Sequence, residues 1–167
     1  MAEKTAGSGE GAALLSLKLV REKTAEYADL ATQLTNPGTA TELFEKVFGL
    51  SELAEETLCM VTLDTRHRPV GFWKVATGSI NESVVHPREV FKRALLTNAH
   101  AIMLAHNHPS GDPAFSPQDR RCAERLHKVG KTMGIKLLDF LAVGSGGRRR
   151  SAAEEGVFSG TGDGWPS

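Results

Sequence analysis

The chain reads as an α/β layered domain built on a mixed β-sheet, and three observations predict it. Apolar runs of strand length, Leu58 to Leu63, Ala101 to Ala105 and Ile135 to Val143, recur along the sequence. Helical stripes lie between them, an interleaving that stacks as layers. The turn Arg66-His67-Arg68-Pro69 separates Leu58–Leu63 from a second strand at Val70 to Val75. That pair is a hairpin, so the sheet cannot be wholly parallel.

The 167 residues are in the range of one domain and enough to bury a core. A hydrophobic share of 40% and a charged share of 24% are those of a soluble globular protein. Twenty basic and twenty acidic side chains leave no net charge. Nucleic-acid binders draw affinity from neutralising phosphates, so direct nucleic-acid binding is not expected. Cys59 and Cys122 fall in apolar positions and read as core residues without a disulfide framework, which fits a reducing cytoplasm. No apolar run reaches membrane-spanning length and no basic-then-apolar leader pattern opens the chain, so a cytoplasmic location is expected.

Residues 1–11 read as a flexible tail and 12–36 as an N-terminal extension. In the extension, Leu14 to Val20 suits a strand or a docked arm, and Lys23 to Leu34 is ambiguous until Asn36-Pro37-Gly38 breaks it. Residues 37–158 form the main domain, and 159–167 a loose tail. Thr39 or Thr41 can cap a short helix through Phe48 that Gly49 closes. Ser51 to Glu55 is a linker. His67, in the hairpin turn, is expected to be solvated. Thr77 to Asn81 reads as a loop, and Pro87 opens a helix with Val90, Phe91, Ala94 and Leu95 on one stripe. His86 before it and His100 after it are given structural roles.

The most informative stretch follows. The run Ala101–Ala105 stops at His106-Asn107-His108, and the turn cluster Pro109-Ser110-Gly111-Asp112-Pro113 comes next. Ser116-Pro117-Gln118-Asp119 is a helix start, with serine as cap, proline first and an acid three residues after the cap. That helix runs to about Lys128, with Cys122, Leu126 and Val129 inward and His127 in the polar set; Gly130 and Gly134 bracket a frayed end. The strand to Val143 leads to a glycine-rich turn through Arg148-Arg149-Arg150.

Side chains two apart on a strand share a face, so His106 and His108 can reach one ion while Asn107 points away. The loop can bring Asp119 to the same point. Two imidazoles and a carboxylate make a three-ligand zinc site with a fourth position for water, the arrangement of catalytic zinc. Ser116 and Asp119 are equally explained as a capping box. The tripeptide His-Asn-His is not an HNH nuclease, whose three residues are dispersed.

His106-x-His108, seven intervening residues, then Ser116-x-x-Asp119 resembles the JAMM motif of JAB/MPN metallo-domains. LDTRHR (63–68), HPREVF (86–91), AHNHPSGDP (105–113), LLD (137–139) and Ser151-x-x-Glu154-x-Gly156 resemble the RadC-like branch, over about residues 37 to 158. The resemblance implies the JAB/MPN fold, similar to that of cytidine deaminases. Deaminase chemistry itself requires His-x-Glu and Pro-Cys-x-x-Cys, and the sequence has neither.

The resemblance also implies one zinc ion per chain on His106, His108 and Asp119, a glutamate base, and Ser116 as oxyanion donor. Candidates for the base are Glu52, Glu55 and Glu56. The family's Glu-x-Phe before Leu-Asp-Thr counts back from Leu63 to Glu56, with Glu55 one step away and Leu58 in place of the phenylalanine. Phe115 stands where the family usually has proline, and Phe140 where it usually has histidine. The implied function is a zinc metalloprotease or isopeptidase acting on a protein or peptide substrate. The alternative is a non-enzymatic metal-binding module serving as a partner in DNA repair or other DNA-linked processes.

Overall fold

A computed structural model describes residues 32–78, 85–158 and 165. The expected N-terminal tail, the arm at Leu14 to Val20, most of the ambiguous segment at 23–34 and most of the C-terminal tail lie outside the described residues.

Among the described residues, five strands and three α-helices follow in the order α1 (Pro37–Phe48), β1 (Thr57–Leu63), β2 (Pro69–Thr77), α2 (Pro87–Leu96), β3 (Ala101–Asn107), α3 (Pro117–Met133), β4 (Lys136–Val143) and β5 (Arg149–Ser151), with short 3-10 turns at Leu50–Glu52 and Ser145–Gly147. The sheet order is β2-β1-β3-β4-β5. β1 pairs antiparallel with β2 and β3, β3 runs parallel to β4 through the α3 crossover, and β5 returns antiparallel on β4. The expected α/β layered fold with a mixed sheet is the fold observed, the hairpin included.

β1 and β3 are buried along their whole length, which is why they read as unbroken apolar runs rather than alternating ones. Leu58, Met60, Ile102, Leu104, Leu137 and Phe140 face a core under α2 and α3. Cys59, Val61, Leu63, Met103, Ala105 and Leu141 face a second core under α1. Burial pushes the Cys59 thiol up to about 12, against a smaller pull from Lys74. That thiol is inert packing. No helix among the described residues is long and apolar enough to cross a membrane.

Several local expectations change. Asn36, not Thr39 or Thr41, caps α1, accepting from the Thr39 amide at 3.0 Å, with Pro37 opening the helix. Asparagine is the stronger cap, and Pro37 lacks the N–H that a later cap would strand. α3 runs a turn past Lys128 to Met133, and Gly134 in the left-handed region closes it. Gly130 is a packing residue within it: a Cβ there would stand 2.6 Å from the Ile135 carbonyl oxygen.

His127 is buried rather than polar-faced, its ring stacked on Phe158 with centroids 4.6 Å apart. Arg149 and Arg150 belong to β5 rather than to a turn. Trp165 is docked, its Nε1 donating to Asp139 at 3.0 Å while its ring packs on the α1-side core.

Candidate metal centre

The end of β3 and the start of α3 converge on one point. β3 carries His106 and Asn107 as its last residues, and His108 follows with its amide donating to the Val143 carbonyl at 3.0 Å. The pleat thus continues one residue past the strand, keeping both imidazoles on one face. Opposite them, Ser116 caps α3 in a complete capping box. Its Oγ accepts from the Asp119 amide at 3.1 Å, and its own amide donates back to Asp119 Oδ2 at 2.7 Å. The box holds the Asp119 carboxylate against the strand end.

His106 Nε2 and His108 Nε2 stand 2.9 Å apart. Asp119 Oδ1 is 3.2 Å from the first and Oδ2 is 3.4 Å from the second. His106 is fully buried against Phe140, with ring centroids 5.1 Å apart, while Phe115 adds a second aromatic wall at 6.4 Å. Both family departures noted in the sequence therefore line the same ring. Arg120 lies over the outer side of Phe115.

The His108 Nδ1 meets the Asp112 carbonyl at 2.7 Å. A carbonyl only accepts, so this partner assigns the proton to Nδ1 and leaves Nε2 with its lone pair toward His106. The loop that supplies Asp112 is tied in turn. Gly111 N–H donates to the His108 carbonyl at 2.8 Å, and Arg148 Nη2 donates to the Gly111 carbonyl at 2.7 Å.

Glu56, the residue before β1, completes the group: one ligand atom from each of Glu56, His106, His108 and Asp119 lies within 4.8 Å of all the others. Glu52 and Glu55, the other candidates for the base, are exposed and outside this cluster. His86 accepts from the Arg88 amide through Nδ1 as the cap of α2. His100 and His67 lie beside one another on the surface, rings 6.5 Å apart, at the far ends of β3 and β1.

The electrostatics follow from these contacts. The Asp119 hydrogen bond, opposed by burial and helped by the Asp112 carbonyl, raises the His108 imidazole above its ordinary value. Burial pushes the Asp119 carboxyl up, but hydrogen bonds from His106, His108 and Ser116 outweigh it and hold the group far below the usual carboxylate range. Two imidazole nitrogens this close, with a carboxylate across them, are an unfavourable set of lone pairs unless a positive centre sits among them. His106 Nδ1 is buried without a hydrogen-bond partner among the described residues, and the polar contacts of this ring run through Nε2 into the cluster. The donor set of two imidazoles and carboxylate oxygens fits a divalent metal ion.

Asn107 makes contacts that went unread in the sequence. It does point away from the imidazoles, but onto the segment that carries Glu56, accepting from Thr57 N–H at 2.8 Å. The available signal was the alternation itself, which turns the middle residue of His-x-His toward the opposite layer.

Comparison with known proteins agrees with the geometry. A UPF0758 protein of Symbiobacterium thermophilum is 42% identical over 111 residues, covering 66% of this chain and 47% of the relative. A UPF0758 protein of Methanococcoides burtonii is 44% identical over 108 residues, covering 65% of this chain and 47% of the relative. One from Geotalea uraniireducens is 35% identical over 144 residues, covering 86% and 62%. The chain spans about half the length of the first two. The RadC-like JAB domain model matches residues 34–157, and the chain belongs to that family.

Proposed function

We propose that this chain is a zinc-dependent hydrolase of the JAMM type, cleaving a peptide or isopeptide bond in a protein or peptide substrate. The observation that carries this reading is the gathering of Glu56, His106, His108 and Asp119 with their ligand atoms within 4.8 Å. His106 Nε2, His108 Nε2 and a carboxylate oxygen of Asp119 would hold the ion, a three-ligand set that keeps a coordination position open. When bound, zinc supplies Lewis acidity, lowering the pKa of a water to about 7 and polarising a carbonyl.

The chain's own residues do the rest. Glu56 is intermediate in burial while His106 and Asp119 are buried, so the residue stays within reach of solvent and substrate. It takes the proton of the attacking water and returns it to the leaving amine nitrogen. The Asp112 carbonyl holds the His108 ring in the tautomer that binds through Nε2. Ser116 Oγ donates to Asp119 Oδ2 at 2.7 Å. To serve a developing oxyanion it turns that hydrogen outward, while its amide keeps Asp119 in place.

The basic run offers little to a nucleic acid. Arg148 is bonded to Gly111 and Ser145, Arg149 faces Glu154 at 3.7 Å and Arg150 faces Glu155 at 3.4 Å. Nucleic-acid affinity requires cations free to replace counterions, which supports a protein substrate over the DNA-linked alternative.

The test strips the chain with chelator, restores zinc, and offers peptide and isopeptide-linked libraries read by mass spectrometry. Cleavage should appear only after zinc is restored. Failure to take up zinc, or cleavage that persists in chelator, would overturn the reading.

A further inference from the structure

Asn107 sits between His106 and His108 and is 1% exposed. Its amide is used on both sides. Oδ1 accepts from Thr57 N–H at 2.8 Å, while Nδ2 donates to the carbonyls of Leu53 at 3.0 Å and Glu55 at 3.2 Å. The flip of the amide follows from these partners, since an N–H needs the oxygen and two carbonyls need the NH2.

The residue enclosed by these bonds is Glu56. Its own carbonyl accepts from Gly78 N–H at 2.8 Å, at the end of β2. The backbone is therefore tied to β3 immediately before and after Glu56, and to β2 at Glu56 itself. The preceding stretch needs such a tie, because Ser51, Glu52, Ala54 and Glu55 are exposed.

Three consecutive residues at one strand end thus serve the centre from opposite faces. His106 and His108 project toward Asp119, and Asn107 grips the peptides that present Glu56. The geometry points to Asn107 as a positioning residue that sets the Glu56 carboxylate against the His106–His108–Asp119 cluster. This assignment rests on Glu56 being the proton carrier proposed above. Because clamp and ligands share one backbone segment, any shift of the end of β3 moves base and metal site together. Placement at that level matters: a misplacement of about 1 Å costs roughly 100-fold in rate.

The isosteric Asn107→Asp keeps the acceptor for Thr57 N–H but sets an oxygen against two carbonyls. Asn107→Ala removes every bond. The full chain is loaded with cobalt(II), whose unpaired electrons speed relaxation of nearby nuclei, and the carboxyl carbon of Glu56 is followed by 13C NMR beside metal content. Both variants should keep one metal per chain while the Glu56 relaxation enhancement drops severalfold. With a cleavable substrate, kcat should fall roughly 100-fold at little-changed KM. A folded, cobalt-loaded variant whose Glu56 relaxation equals that of wild type overturns the assignment.

Amide exchange in the unmodified chain keeps the inference falsifiable should both variants fail to fold. Thr57 N–H should be protected like the interior amides of β1, and exchange as fast as in exposed segments overturns the clamp. A wild-type chain that binds cobalt and cleaves nothing overturns the hydrolase reading alone, because the relaxation comparison does not depend on turnover.

Discussion

The Nε2 atoms of His106 and His108 face each other at 2.9 Å, with the carboxylate of Asp119 at 3.2 Å from the first and 3.4 Å from the second. One proton can bridge the pair, but it satisfies only one geometry of three. A divalent ion satisfies all of them at once.

Alanine at His106, His108 or Asp119 should each remove most of the bound metal, measured as stoichiometry after purification without chelator. Alanine at His86 or His100 should leave it unchanged, because His86 caps α2 and His100 lies at the opposite end of β3. Full metal retention in all three ligand variants would eliminate the site. Binding should also raise stability by about 2.7 kcal/mol at a metal concentration 100 times Kd.

The pH dependence of stability should differ between the metal-free and metal-loaded chains. Contact with Asp119 raises His108, so its contribution is fully present below its unfolded value of about 6.5 and is lost as pH rises through the higher folded value. Asp119 is held low, so its contribution is present above about 3.9 and lost only as pH falls well below that. The metal-free chain is therefore expected to weaken as pH rises from about 6.5 through the higher folded value of His108. Metal binding requires unprotonated imidazoles, so the metal-loaded chain gains over the same interval. Urea unfolding in chelator and in zinc checks this, and parallel profiles would contradict it.

Ser116→Ala separates two roles of one hydroxyl. Loss of the cap alone costs about 0.5–2 kcal/mol of stability and leaves turnover per folded molecule intact. Loss of an oxyanion donor lowers kcat by roughly 100-fold or more at constant metal content. The bond from Ser116 Oγ to Asp119 Oδ2 adds a third expectation. Metal affinity should change slightly in the variant, because the carboxylate loses one of the donors that orient it.

Gly144→Ala tests the loop behind His108. A Cβ there would lie 2.3 Å from the Gly111 carbonyl oxygen and 2.8 Å from Pro113 Cδ. The Gly144 φ of −113° suits any residue, so the effect is purely steric. Pushing that loop moves the Asp112 carbonyl off His108 Nδ1. We expect a loss of about 1–3 kcal/mol in stability, together with weaker metal binding by chelator competition. Unchanged affinity would show that the loop does not orient His108.

Much of this was legible in the sequence because it is local. β1, β3 and β4 announce themselves as apolar runs, and Ser116-Pro117-x-Asp119 contains its own capping box. The His-x-His alternation and the spacing to Asp119 locate three of the four clustered residues without any tertiary knowledge. What stayed hidden depends on residues far apart in the chain. His127 is buried by Phe158, which arrives from the far side of β5. Asp139 is fully buried in mid-strand because Phe140 N–H, Ala153 N–H, Ser151 Oγ and Trp165 Nε1 all donate to it; burial nevertheless leaves its carboxyl above the ordinary value. In the sequence, counting alone favoured Glu56 among Glu52, Glu55 and Glu56 and left Glu55 one step away. In the fold, Glu56 is the one of the three that clusters with His106, His108 and Asp119.

Metal content and amide cleavage measured on one preparation of Glu56→Gln separate metal binding from proton transfer. Glutamine keeps the size of the side chain and its place in the cluster but cannot accept and return a proton. Glu56→Gln should hold one metal ion per chain and cleave nothing, with Glu52→Gln and Glu55→Gln as active as wild type. Cleavage by Glu56→Gln at the wild-type rate, with the metal retained, would contradict it.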